Sequence, residues 1–274
     1  MKVRILTAVG IAIFGIPLLI FSQYLFYPIA ISLLSVIAIF EMSGLTGFRK
    51  TPVVVVPAYL IAAALPVVGY YAADIGRYLL YSAFVVFVYM LYLFGYLVIK
   101  RGEISFDSIS SHFMSFAYIT VSFTSLCLVR YIALGGYYFL LVFVASWICD
   151  SFAYFVGRAI GKHKLIPEIS PKKTVEGAIG GVVCTTMSFA LFGLIVDLIS
   201  ELTPNYLLLC LFGFVLSIVA QFGDLIASLI KREHGVKDYG NIFPGHGGVL
   251  DRFDSILAVA PILLALCVIF PPLA

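Results

Sequence analysis

The chain has 274 residues, 62% of them apolar and only 11% charged, with 17 Lys and Arg against 14 Asp and Glu. A mean hydropathy of +1.11 and so few charges exclude a water-soluble globular protein, in which roughly a quarter of residues are charged. Apolar runs long enough to cross a hydrocarbon core of roughly 30 Å as helix recur along the chain, and the alternating segments of a transmembrane barrel are missing, so the expected class is an all-α polytopic integral membrane protein.

Nine transmembrane helices are predicted, over residues 5–22, 25–42, 53–73, 78–99, 113–133, 136–157, 178–199, 206–230 and 253–271. The first comes after Lys2 and Arg4 as a signal peptide would. It is long for such a segment, however, and no convincing small-residue cleavage site lies beyond it, so it is expected to be a retained helix. With nine spans and a cytoplasmic N-terminus, every Lys and Arg except Arg77 and Arg130 falls on the inner side, as the positive-inside rule demands, and the C-terminus lies outside. Residues 1–112 hold few reactive groups, Glu41 being their only carboxylate near the inner end of a span, and are expected to be scaffold with part of a lipid-access surface. Residues 113–274 are expected to be the catalytic region, with two polar inner loops at 158–177 and 231–252.

The sixth span carries Asp150 near its inner end, where an unpaired carboxylate costs on the order of 2.5 to 3.5 kcal/mol. In the next loop, Ser170-Pro171-Lys172-Lys173-Thr174 combines hydroxyls, a fixed turn and two ammonium groups. Thr174 is placed to cap a helix with Glu176 in its first turn. Backbone N–H groups at such a start, with Lys172 and Lys173 beside them, suit a polyphosphate or an anionic headgroup. The nearby glycines Gly157, Gly161, Gly177, Gly180 and Gly181 serve close helix packing as readily as phosphate approach. In the eighth span Asp224 and Ser228 are four apart on one helix face that leads to Lys231 and Arg232. Structural pairing with a basic residue is the plainer reading of Asp150 and Asp224; a site is the other.

Between Ser228 and Asp254 the chain places four basic and four acidic residues in 27 positions. After Lys237 come His246-Gly247-Gly248, then Asp251, Arg252 and Asp254. A helix starting near Gly248 points Asp251 and Asp254 the same way, close to its positive end. Two carboxylates so spaced are natural ligands for Mg²⁺, which prefers oxygen and keeps water and substrate phosphate in its shell. Asp224 and Asp150 extend the set to a size that admits a second metal ion. His246 either assists proton transfer and phosphate binding or shapes the glycine-rich turn.

These residues resemble the signature of the phosphatidate cytidylyltransferase (CDP-diacylglycerol synthase) family: Ser228, Lys231, Arg232, Lys237, Asp238, Gly240, Pro244, His246-Gly247-Gly248, Asp251-Arg252 and Asp254. The stretch from Asp150 through Tyr154, Gly157 and Arg158 to Ser170–Gly177 is similar to the family's second well-kept region. The resemblance implies that a phosphatidate oxygen attacks the α-phosphorus of CTP with Mg²⁺ present, giving CDP-diacylglycerol and pyrophosphate. It also implies a homodimer, while the charge asymmetry places the two polar loops, and the site with them, on the cytoplasmic side of the inner membrane. On the residues, Asp224, Asp251 and Asp254 are the expected metal ligands, with Asp150 a fourth candidate and with Lys231 and His246 beside them as candidate catalytic groups. Lys172, Lys173, Thr174, Ser228, Arg232, Lys237, Gly247, Gly248 and Arg252 are the expected phosphate contacts. Rival readings are a CTP-dependent lipid kinase, which would transfer the γ-phosphate, and an ion-coupled transporter using Asp150 and Asp224. No nucleic-acid partner is expected. The five cysteines, all inside apolar spans, are expected to be small buried hydrophobes, and His112, His163 and His234 to be solvated.

Overall fold

The computed structural model describes Gly10, Ile13 and residues 15–274; of the predicted span 5–22, positions 5–9, 11, 12 and 14 lie outside the described residues. Among the described residues eight helices are long and apolar enough to cross a membrane: α1 (Phe26–Leu45), α2 (Pro52–Tyr70), α3 (Ile75–Ile99), α4 (Phe106–Tyr131), α5 (Gly135–Ile160), α6 (Val175–Ile199), α7 (Tyr206–Glu233) and α8 (Leu250–Ile269). Each matches a predicted span, and the chain is an all-α polytopic protein. Local chemistry sets the starts. Pro52 stands at the opening of α2, and the side chains of Asp74, Thr174 and Asn205 accept from Arg77, Gly177 and Leu208 N–H groups at 3.0, 3.2 and 3.1 Å, satisfying donors that have no partner within a helix's first turn.

Three details depart from the sequence reading. Helix α4 begins at Phe106 rather than 113, because its first turns carry polar residues on one side while Ile109 and His112 are buried on the other. His112 is accordingly not solvated: it is 2% exposed, and its Nε2 lies 3.0 Å from the Tyr89 hydroxyl, which also donates to the Val54 carbonyl at 2.9 Å. Within the inner loop, β1 (Lys164–Ile166) and β2 (Ser170–Thr174) form an antiparallel hairpin where only a turn was expected. Helix α5 contains a π-helical segment at Val144–Ile148, immediately before Asp150; such segments rotate the facing of the residues beyond them and are frequent at functional sites. The cysteines are free thiols, Cys127, Cys149 and Cys267 buried and Cys184 and Cys210 half-buried.

The chain divides into two compact units, one formed by Met1–Leu128 with Asp238–Arg252, the other by Val129–Lys237 with Phe253–Ala274. In the first, α1 packs on α2 and the buried Tyr27 hydroxyl donates to the Leu126 carbonyl at 3.2 Å. In the second, α5, α6 and α7 pack in succession. Glycine permits this closeness: a Cβ on Gly177 of α6 would lie 2.5 Å from the Ala153 carbonyl of α5, and one on Gly223 of α7 would lie 2.7 Å from the Asp254 carbonyl of α8. The glycines of this region thus serve the helix packing that replaces a hydrophobic driving force inside lipid.

Candidate active site

In the second unit a cavity of about 430 Å³ opens among α5, the hairpin, α6 and α7. Its charged lining is Asp150, Arg158, Lys164, Lys172, Lys173 and Asp224, and the predicted phosphate contact Thr174 lines it too. The Lys173 ammonium lies 2.6 Å from Asp224 Oδ2, each side chain about a quarter exposed (25% and 27%). Asp150 Oδ2 accepts from the Ser255 hydroxyl of α8 at 3.0 Å. Asp224 acts by charge repulsion on both Asp150 and Asp254, while Lys231 attracts Asp254. Three helices therefore bring three carboxylates into one neighbourhood with two ammonium groups for counter-charge. Thr174 caps α6, with Glu176 in its first turn. Glu176 is engaged by His163, whose Nδ1 lies 2.6 Å from its carboxylate.

A second, almost wholly apolar groove of about 700 Å³ runs between α6 and α7, lined by residues such as Ile179, Val183, Met187, Phe214 and Phe222. It shares Leu165, Ala178 and Gln221 with the polar cavity. The polar and the apolar spaces thus adjoin at these three residues.

In the first unit the segment leading into α8 is organised by carboxylates. Asp251 is 8% exposed and its Oδ2 accepts from the N–H groups of Tyr239 and Gly248 at 2.7 and 2.9 Å; the reach from Asp251 back to Gly248 is one half of a capping box. Glu41 of α1 is 5% exposed and accepts from Val249 and Leu250 N–H at 2.9 and 3.0 Å. The turn before it is closed by His246 N–H donating to the Phe243 carbonyl (2.8 Å) and Phe243 N–H to the Gly247 carbonyl (2.9 Å). Gly245 and Gly247 supply the positive φ values, 77° and 84°, that this turn requires and that glycine adopts at little cost. His246 Nδ1 is buried without a hydrogen-bond partner among the described residues.

A model of the cytidylyltransferase family matches residues 2–270. The chain belongs to this family. It is similar to a phosphatidate cytidylyltransferase of Staphylococcus epidermidis, 36% identical over 266 residues that cover 96% of this chain and 97% of the relative. A phosphatidate cytidylyltransferase of Bacillus subtilis is 37% identical over 277 residues, 98% of each chain. The likeness therefore spans both units of this cytidylyltransferase and not the signature alone.

The residues singled out from the cytidylyltransferase sequence have distinct settings. Asp150, Asp224, Lys172 and Lys173 line the cavity, with Asp254 in electrostatic reach of the two carboxylates. Ser228 and Lys231 are half-buried on α7, and Arg232, Lys237 and Arg252 are exposed. The Gly248 N–H, expected at a phosphate, is engaged by Asp251, and the next two amides are engaged by Glu41. Among the described residues no three His, Cys, Asp or Glu side chains converge as a ready-made metal cage. The donor chemistry nonetheless fits a hard cation, since Mg²⁺ is usually held by one or two carboxylates completed by water and substrate phosphate, and Asp150, Asp224 and Asp254 offer only oxygen. Glu41, which the sequence reading placed in the scaffold as a carboxylate near the inner end of a span, is the acceptor for the first amides of α8.

Proposed function

We propose that the protein transfers the cytidylyl group of CTP to phosphatidate, giving CDP-diacylglycerol and pyrophosphate, at a site on the cytoplasmic face of the cell membrane. The observation that carries this reading is a carboxylate- and lysine-lined cavity that adjoins an apolar groove, in a chain collinear with proteins named phosphatidate cytidylyltransferases. The cavity suits a nucleotide triphosphate and a lipid phosphate; the groove between α6 and α7 suits an acyl chain, because its walls are almost entirely hydrocarbon and such walls cannot satisfy a polar ligand.

In this mechanism an oxygen of the phosphatidate monoester forms a bond to the CTP α-phosphorus, and the bond from that phosphorus to the bridging oxygen breaks as pyrophosphate leaves in line. The monoester is largely ionised at neutral pH, its second pKa being about 6, so no general base is required. The protein's contribution is position and charge. Lys172, Lys173, Lys164 and Arg158 neutralise phosphoryl oxygens from the cavity wall, and Asp224 and Asp254, with Asp150, would hold the cation. Bound Mg²⁺ supplies charge stabilisation at the reacting phosphates. Ser255 orients Asp150 through its hydroxyl. The N-terminus lies in the cytoplasm, the C-terminus outside, and the protein assembles as a homodimer.

The test uses the full-length protein in lipid nanodiscs with phosphatidate, Mg²⁺ and CTP labelled at either the α- or the γ-phosphate. Label from the α position should enter the lipid with release of pyrophosphate. Entry of γ label would identify a kinase instead, and no entry of either label would remove the transferase reading.

A further inference from the structure

Glu41 sits on α1, remote in sequence from every residue of the signature, yet its two carboxylate oxygens accept from Val249 and Leu250, 208 and 209 positions away. The stretch before α8, Gly247-Gly248-Val249, offers no side chain able to cap a helix, so the amides of its first turn need an outside acceptor. Glu41 and Asp251 together take three successive N–H groups, 248 to 250. Asp251 lies within electrostatic reach of Glu41, so two carboxylates are brought together where a neutral Ser or Asn at position 249 could have capped the helix alone.

The loop is moulded around this carboxylate. A Cβ on Gly240 would lie 2.6 Å from Glu41 Oε1, and a Cβ on Gly248 would run into the same oxygen. Neither position tolerates a larger residue while Glu41 keeps its place, which ties the glycines at 240 and 248 to a group far away in sequence.

We propose that Glu41 is a positioning residue for nucleotidyl transfer: by gripping the first amides of α8 it sets the placement of the helix that bears Asp251 and, one turn further on, Asp254. The proposal rests on the reading of the protein as a phosphatidate cytidylyltransferase. Glu41 touches no substrate in this role; it acts through the backbone of residues 248–250. Glutamine keeps the reach of Glu41 but turns an amide N–H₂ toward one of the two donors, whereas aspartate keeps the charge and falls one methylene short.

Two measurements on the full-length protein in nanodiscs test this. In Glu41→Gln, kcat per folded molecule should fall about 10- to 100-fold, the scale expected when a reacting group is misplaced by about 1 Å, while KM for CTP should change by less than about threefold. Amide hydrogen exchange over 245–252 should quicken while the other helices keep their protection, and Glu41→Asp should recover part of both losses. Faster exchange with kcat unchanged would reduce Glu41 to a structural anchor and overturn the proposal, as would unchanged exchange. Uniform loss of protection across all helices in both variants, with turnover restored in the fraction that stays folded, would overturn it too. A wild-type protein that transfers no α label would sink the function and the positioning role together; an active wild type beside a fully active Glu41→Gln would sink only the role of Glu41.

Discussion

Asp251 and Asp254 occupy the same helix three residues apart, and replacing each with asparagine should affect stability differently. The Asp251 carboxylate holds Tyr239 and Gly248 N–H groups at 2.7 and 2.9 Å from a buried position. A hydrogen bond to a charged group contributes about 1.5 to 3 kcal/mol and a neutral one about 0.5 to 1.5, so the Asp251→Asn side chain, which keeps an amide oxygen for the same donors, loses about 1 to 1.5 kcal/mol per bond. Part is returned because a neutral amide is easier to bury, leaving a net loss of about 2 kcal/mol. For a chain of this size that lowers Tm by roughly 4 to 8 °C. Asp254 stands instead among like charges, repelled by Asp224 and Asp150, so Asp254→Asn relieves repulsion and should leave Tm unchanged or raise it while abolishing turnover. The assay is paired: thermal unfolding in detergent followed by intrinsic fluorescence, and α-label transfer from CTP. An Asp251→Asn protein as stable as wild type would refute the clamp, and an Asp254→Asn protein destabilised to the same extent would show that Asp254 is structural.

Other substitutions probe the cavity and the groove. Lys173→Met removes the ammonium paired with Asp224; breaking a buried pair costs about 3 to 5 kcal/mol, and with side chains a quarter exposed a smaller loss of about 10- to 100-fold in turnover is expected. The exposed neighbour Lys172→Met should lose less, and the reverse order would remove Lys173 from the site. Val183→Trp, which fills part of the groove between α6 and α7, should raise KM for long-chain phosphatidate roughly tenfold, equivalent to about two buried methylenes. It should spare both KM for CTP and turnover of a short-chain phosphatidate. An equal effect on both lipids would show that the groove does not hold the acyl chain.

Most of the helical architecture was legible because hydropathy alone marks a span, and the described helices α1 to α8 each fall on a predicted one. The start of α4 was hidden because periodicity, not mean hydropathy, carries it: Ser108, Ser110 and Ser111 dilute the apolar signal while Ile109 and His112 go inside. The hairpin at 164–174 was hidden by Pro171 and the two lysines, poor strand formers inside a strand whose ends, Ser170 and Thr174, pair with Ile166 and Lys164. Asp150, Asp224 and Asp254 were visible as carboxylates out of place in apolar segments. The difference between Asp251 and Asp254 was not, because their spacing puts both on one face and only the loop's return to Tyr239 shows that Asp251 is occupied. Glu41 was the least visible, since its partners are backbone amides and no side-chain pattern at 248–250 announces an acceptor 208 positions away.

The arrangement in the cavity is poor for stability, and that is informative about the chemistry. Asp150, Asp224 and Asp254 repel one another, and the counter-charge comes from Lys173 in contact with Asp224 and from Lys231 near Asp254. CTP and phosphatidate are themselves anionic, so neither can approach three carboxylates without added positive charge. Either Lys173 leaves Asp224 for a phosphate or a divalent cation enters with the substrate. If Lys173 alone made up the charge, Lys173→Met would lose CTP affinity at every Mg²⁺ concentration. If the cation does so, the same variant should bind Mg²⁺ more tightly, because it has lost its competitor for Asp224. Half-maximal activity of the residual enzyme should then shift to lower Mg²⁺. The direction of that shift separates the two electrostatic solutions.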